Sequence, residues 1–132
     1  MKYLLDTNIC IYAQKRNAAI LSRIKEAWQD GIAISAITLA ELEYGVQHSG
    51  APERNAIALA KFLSIVEVLP FDSSAAIEYG DICSTLHKKG ITIGTMDMLI
   101  AAHGRSEKLT VVTHNTREFE RVDGLQLADW YE

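Results

Sequence analysis

Four polar side chains stand where a strand ends or a helix begins, and together they could hold a metal ion. They are Asp6, Glu41, Asp97 and Asn115. The first and last each follow a short apolar run, and the other two fall in the opening turns of predicted helices. In a parallel sheet with antiparallel crossover helices, strand C-termini and helix N-termini share one edge, where ligands bind. We therefore expect these side chains to meet at that edge.

The chemistry expected of such a cluster is the binding of a hard divalent cation. Carboxylates crowded at one edge are costly unless positive charge neutralises them. Oxygen ligands alone suit Mg²⁺ or Mn²⁺. The four histidines show no metal-ligand spacing, which argues against zinc, and His103 is expected to be a core residue with a satisfied ring.

Each candidate also has an ordinary structural explanation. Asp97 suits a helix N-terminus, Asp6 could be an N-cap, and Glu41 could be a solvated helix residue. Thr113 and Asn115 are common turn residues after a strand. Taken singly these explanations hold, but they leave unexplained why every candidate falls at the same edge. Glu43 and Glu78 are assigned to solvent or surface pairing.

Length and composition are those of one ordinary globular domain. The chain has 132 residues, of which 48% are hydrophobic and 23% charged. A net charge of -4 argues against a nucleic-acid binder at face value, but a bound cation would reverse the local potential. Several cationic residues are candidates for the rim of the same cleft, although solvated surface charge is the more common explanation of any one of them: Lys15, Arg16, Lys88, Lys89, Arg105, Lys108 and Arg117.

The compartment is expected to be the cytoplasm. No apolar run is long enough for a transmembrane helix, and no signal-peptide segment precedes the first strand. Cys10 and Cys83 are expected to be free, buried thiols.

Apolar periodicity predicts strands that alternate with helices. Strands are predicted at residues 2–5, 32–35, 65–69 and 109–112, with an edge strand at 125–127 and a tail at 128–132. Helices are predicted at 8–13, 20–28, 37–48, from 52, from 73 to 89 and at 95–106. The second has Trp28 on its buried stripe, and the fourth buries Ala56, Leu59, Ala60 and Leu63. This alternation predicts a doubly wound parallel sheet in one layered domain.

Four segments, in order, resemble the motifs of PIN-domain nucleases, and most closely the VapC toxins of bacterial toxin–antitoxin pairs. They are Leu4-Leu5-Asp6-Thr7-Asn8, Ala40-Glu41-Leu42, the segment from Ile93 to His103 around Asp97, and Val112-Thr113-His114-Asn115. The resemblance spans nearly the whole chain. It implies an α/β, PIN-like (Rossmann-like) three-layer sandwich with a four- to five-stranded parallel sheet. Residues 1–132 would form a single PIN-like nuclease domain.

Roles for the site residues follow from the resemblance by position. Asp6 and Asp97 match the family's direct metal ligands, and Glu41 matches an acid that binds the metal or its waters. Asn8 resembles a residue that orients the first Asp, and Thr113 resembles a supporting hydroxyl. Asn115 departs from the pattern, since many PIN domains carry a fourth acid there. That departure puts a two-metal mechanism in doubt.

The resemblance implies a magnesium-dependent endoribonuclease, with Mn²⁺ as a substitute. It further implies a homodimer inhibited by a VapB-type antitoxin, a larger complex with it, and contact with operator DNA only through it. RNA is the expected substrate, with the anticodon stem-loop of initiator tRNA as a candidate. Two alternatives stay open: a catalytically weak RNA- or protein-binding module of the same fold, and a phosphatase that uses Asp6 as nucleophile. The sequence Asp6-Thr7-Asn8 lacks the second Asp expected of the latter.

Overall fold

The computed structural model describes residues 1–131, and Glu132, predicted to belong to the tail, lies outside the described residues. The strands are β1 (Tyr3–Leu5), β2 (Ile32–Ser35), β3 (Glu67–Leu69), β4 (Thr110–Val112) and β5 (Leu127–Ala128). The helices are α1 (Thr7–Gln14), α2 (Ala18–Ala27), α3 (Ala36–Gln47), α4 (Pro52–Leu63), α5 (Ser73–Lys88), α6 (Thr95–Glu107) and α7 (Thr116–Phe119). A 3₁₀ turn, Trp28–Asp30, links α2 to β2.

The strands form one five-stranded parallel sheet in the order β3-β2-β1-β4-β5. This arrangement confirms the predicted α/β fold. Tyr3 in the central strand pairs with Ile32 on one side and Thr110 on the other. From β1 the chain first adds β2 and β3 on one side, and it then crosses over to add β4 and β5 on the other side. The order in which strands are added therefore reverses beside β1. In open sheets of this kind, the crevice at the carboxyl ends of such strands is where ligands bind.

Alternation along the strands divides the interior into two cores. Successive strand residues point to opposite faces of a sheet. Leu5 and Val112 accordingly lie in the core beneath α1, α2 and α4, and Leu4 and Val111 lie in the core beneath α5 and α6. All four side chains are 0% exposed. Helices cover both faces, which gives the predicted three layers.

Gly104 allows a close approach of helix α6 to the sheet. A Cβ at Gly104 would collide with the side chain of Val111. Ile100, Ala101 and Ala102 of the same helix are buried in the core on this face, and Asp97 lies in its first turn.

Several predicted details were wrong. Trp28 is 60% exposed, and on α4 Ala56 and Ala60 are exposed whereas Phe62 is buried. The predicted tail is packed: Trp130 is 3% exposed and makes an edge contact with the ring of Tyr3. Aromatic rings supply large apolar area wherever a groove accepts them, and helical or strand periodicity does not report such a contact.

The His103 ring is buried as predicted, but it is only half satisfied. Its Nδ1 lies 2.7 Å from the Oγ of Ser35, which also accepts the Ile37 N–H at the start of α3. Within residues 1–131 its Nε2 has no hydrogen-bond partner. The two cysteines are free, with Cys10 buried and Cys83 half-buried. No helix in the described part of the chain is both long and apolar enough to cross a bilayer.

Candidate functional site

Asp6 is a buried carboxylate at the end of the central strand. It is 4% exposed, and its Oδ1 caps α1 by accepting the backbone N–H of Ile9 at 2.9 Å. Burial raises its pKa from 3.8 to about 6; hydrogen bonds from Thr113 and Ile9 oppose the rise, and the charges of Asp97 and Glu41 add to it. Removal from water disfavours an uncompensated carboxylate charge. Asp6 is therefore a buried acid whose charged form needs positive charge nearby.

Asp97 lies in the first turn of α6 and is half-buried. Its Oδ2 lies 3.5 Å from the Nδ2 of Asn115, a long hydrogen bond. Burial raises the Asp97 pKa, and the charges of Glu118 and Glu41 raise it further, against the lowering effect of Asn115. The Asn115 backbone N–H donates in turn to the Thr113 hydroxyl at 2.9 Å, which fixes the turn after β4.

Glu41 is tied into the site by Thr7, a motif residue to which the sequence assigned no role. The hydroxyl of Thr7 donates to its Oε1 at 2.6 Å, and the hydroxyl of Thr38 lies 3.3 Å from that of Thr7. Glu41 also lines a cavity of about 280 Å³ between α1, α3 and α4, together with Lys15. Thr7 follows Asp6 directly. The first turn of α1 therefore contacts both Asp6 and Glu41.

The four residues predicted to meet do face one edge of the sheet. The charges of Asp97 and Glu41 raise the pKa of Asp6, the charge of Glu41 also raises the pKa of Asp97, and Asn115 contacts Asp97. The acids do not form a tight preformed centre: among residues 1–131 no three Asp, Glu, His or Cys side chains are grouped as ready metal ligands. The donor set is oxygen throughout, and like charges with raised pKa values favour a cation. These residues therefore fit a hard divalent ion.

A fourth acid was missed. Glu118, in α7, adds a like charge that raises the pKa of Asp97. The signal in the sequence is an acid one helical turn after Asn115, on the same edge of the sheet. Asn115 stands where many PIN domains carry a fourth acid, and Glu118 supplies an acid close to that position.

Within residues 1–131, three other predicted neighbours make no hydrogen bond or ion pair with the acids of the site. Asn8 is exposed, and in the described part of the chain its side chain has no hydrogen bond to Asp6. Arg105 lies near the C-terminus of α6, paired with Glu78 at 2.8 Å and Asp81 at 2.6 Å. Lys108 precedes β4 and so lies at the opposite edge of the sheet. Neither cation rims the acidic site, because both sit at the far end of the helix that carries Asp97.

Comparison with known proteins places this geometry in a family. The PIN domain model matches residues 3–125. The chain is 44% identical over 130 residues to the tRNA(fMet)-specific endonuclease VapC of Shigella flexneri, with 98% of each chain covered. It is 45% identical over 131 residues to Ribonuclease VapC2 of Haemophilus influenzae, again with 98% of each covered.

Solved structures agree. VapBC2 from Rickettsia felis, bound to a DNA fragment from its promoter, matches with a TM-score of 0.95 and 41% identity over 98% of this chain and 99% of that one. DNA-bound VapBC from Salmonella typhimurium matches with a TM-score of 0.94 and 44% identity over 98% of each. PIN-domain nucleases generally depend on a divalent metal. The chain belongs to the PIN-domain family and, within it, to the VapC-type ribonucleases.

Proposed function

We propose that this protein is a magnesium-dependent endoribonuclease, the toxin of a toxin–antitoxin pair, with residues 1–132 as one nuclease domain. The observation that carries the proposal is the buried Asp6 carboxyl, whose pKa is raised to about 6 beside two further acids at the carboxyl edge of the sheet. A site built this way is unfavourable by itself and favourable around a cation.

Asp6 and Asp97 are the proposed ligands of Mg²⁺, with Mn²⁺ as a substitute. Both present carboxylate oxygens, the donors that hard cations prefer. When bound, the cation supplies positive charge to the phosphate and increases the acidity of a water molecule.

The remaining polar side chains would then position water and phosphate. Glu41, held by Thr7, is placed to accept a proton from the attacking water. Asn115 and Thr113 hold the turn that faces Asp97, and the Asn115 amide is available to the phosphate. The water oxygen bonds to phosphorus as the bond from phosphorus to the 3′ oxygen breaks, and the 3′ oxygen takes a proton from solvent. The products carry a 5′-phosphate and a 3′-hydroxyl.

Initiator tRNA is the proposed substrate. The Shigella flexneri relative is named as specific for tRNA(fMet). Single-stranded loops present an accessible backbone, whereas a duplex does not enter a narrow site readily, so the anticodon loop is the expected point of attack.

The proposed partner is a VapB-type antitoxin that blocks the acidic site. The solved relatives from Rickettsia felis and Salmonella typhimurium are VapBC complexes with DNA. By analogy we propose a homodimeric toxin in the cytoplasm, a larger complex with antitoxin, and DNA contact only through the antitoxin.

The test is cleavage of an initiator tRNA transcript by the purified toxin, with Mg²⁺, with Mn²⁺ or with EDTA. We expect metal-dependent cuts in the anticodon stem-loop, and sequencing of the ends should find 5′-phosphates. Asp97→Asn keeps the side-chain size and removes the charge, so it should abolish cleavage while the protein stays folded. Equal cleavage in EDTA, or by this variant, contradicts the proposal. RNA binding without cleavage in either metal would instead indicate a binding module.

A further inference from the structure

A groove lies beside the cavity that contains Glu41, between the end of α1, the start of α2 and one face of α4. Its volume is about 460 Å³. One face of α4 supplies most of its wall through Arg54, Ile57 and Lys61, which are spaced three and four apart, and Arg16 lies on the other wall. We call it the basic groove. The spacing places these α4 residues on one stripe of the helix.

The charge of the basic groove is opposite to that of the protein. Three cationic side chains line it, Arg16, Arg54 and Lys61, and no acidic side chain does. The whole chain carries a net charge of -4. All three cations are exposed, and none takes part in an ion pair with another residue of the described range 1–131. Their charge is available to an anionic partner.

The basic groove adjoins the cavity that contains Glu41. Gln14 and Ala58 line both the groove and this cavity, which also contains Lys15. A chain molecule lying in the basic groove would therefore be next to the cavity of Glu41. Arg54 and Lys61 are about 10.5 Å apart along α4, so the charges extend along the groove.

Arg16 is held in a conformation that its residue type does not favour. Its φ is +66°, in the left-handed region where glycine is usual. The side chain lies at the end of α1 that borders both the groove and Lys15.

We propose that the basic groove binds backbone phosphates of the RNA that flank the cleaved bond. This inference rests on the proposed ribonuclease function, and it names the surface that holds the substrate. An enzyme whose reacting edge is acidic needs cations elsewhere to bind a polyanion. The basic groove supplies three of them next to the cavity of Glu41, with an apolar lining from Ile57 and Phe62.

The experiment measures RNA affinity directly, with cleavage prevented by Asp97→Asn. Fluorescence anisotropy with labelled initiator tRNA compares that protein with one also carrying Arg54→Glu and Lys61→Glu. The matched control carries Lys2→Glu and Lys108→Glu, which make the same change in net charge at the opposite edge of the sheet. Thermal unfolding checks each protein, and Arg54→Gln with Lys61→Gln serves as a milder pair.

We expect the groove variants to weaken binding at least tenfold and the control to change it less than about twofold. For every phosphate that the protein no longer neutralises, the slope of log affinity against log salt should become shallower by about 0.7 to 0.9. In the cleaving protein the same pair should raise KM more than it lowers kcat. Binding is measured in a variant that does not cleave RNA, so the result for the groove does not depend on activity. Failure of the unaltered protein to cut RNA would count against the proposed function only.

Groove variants that bind tRNA as tightly as the control, with the same salt slope, overturn the inference. So does a pattern in which these variants lose affinity for the cognate antitoxin while RNA affinity is unchanged. That second outcome would assign the basic groove to a protein partner.

Discussion

The hydroxyl of Thr7 donates a 2.6 Å hydrogen bond to Oε1 of Glu41 and so joins the first turn of α1 to α3. Because Asp6 immediately precedes Thr7, the two acids are fixed relative to each other by adjacent residues of one turn. A hydrogen bond to a carboxylate fixes its orientation as well as its charge. The position of Glu41 therefore depends on α1 as much as on its own helix.

Thr7→Val should lower activity without unfolding the protein. The substitution keeps the shape of the side chain and removes the donor, so Glu41 loses its orientation. We expect kcat to fall by about 10-fold to 100-fold, the range typical of residues that orient metal-site groups, with a smaller change in KM. Thr7→Ser retains the hydroxyl and should keep most activity. Equal losses in both variants would mean that the hydroxyl is not what matters.

Asp6→Asn should stabilise the metal-free protein at neutral pH. The folded-state pKa of Asp6 is raised from 3.8 to about 6. The contribution of its protonated form to folding stability is therefore complete below pH 3.8 and is lost as pH rises through about 6. That difference corresponds to at most about 3 kcal/mol. Asparagine keeps the N-cap to Ile9 and removes the charge.

The measurement is urea unfolding in EDTA at pH 4 and at pH 7.5. The variant should be more stable than the wild type at the higher pH, and the gap should narrow at the lower one. Adding Mg²⁺ should stabilise the wild type and not the variant, since only the wild type offers the carboxylate. A variant less stable than the wild type at pH 7.5 would contradict this account.

Glu118→Gln should show that this acid acts on Asp97. Removing the like charge lowers the pKa of Asp97, so the acid limb of the pH–rate profile should move to lower pH. Cation affinity should also fall, by about tenfold, because the site loses negative charge. Glu120→Gln, at an exposed position in the same segment, is the control. An unchanged profile in Glu118→Gln would remove Glu118 from the site.

Trp130→Ala should be strongly destabilising, whereas the same truncation in a mobile tail would have little effect on stability. The ring is 3% exposed and packs against Tyr3, so truncation should cost about 3–5 kcal/mol of unfolding free energy. Trp28→Ala, at a ring 60% exposed, should change stability by less than about 0.5 kcal/mol. Equilibrium denaturation of the two variants makes the comparison.

The sequence was sufficient for most of the helices and strands and for the edge of the sheet at which the candidate residues lie. Short apolar runs predicted β1, β2 and β4, and polar residues at their ends predicted which edge carries Asp6 and Asn115. Those features are local, because a strand end and a helix start are defined by a few neighbouring residues. The order of the motifs was enough to identify the family.

Contacts between distant residues were decided only by the tertiary structure. The bond from Thr7 to Glu41 spans 34 positions, the effect of Glu118 on Asp97 crosses from α7 to α6, and Trp130 packs beside a strand from the other end of the chain. The distribution of cations also needed coordinates: Arg105 and Lys108 lie away from the site, whereas Arg16, Arg54 and Lys61 gather in one groove. Side-chain type says what a residue can do, but its partners are set by how the helices pack on the two faces of the sheet.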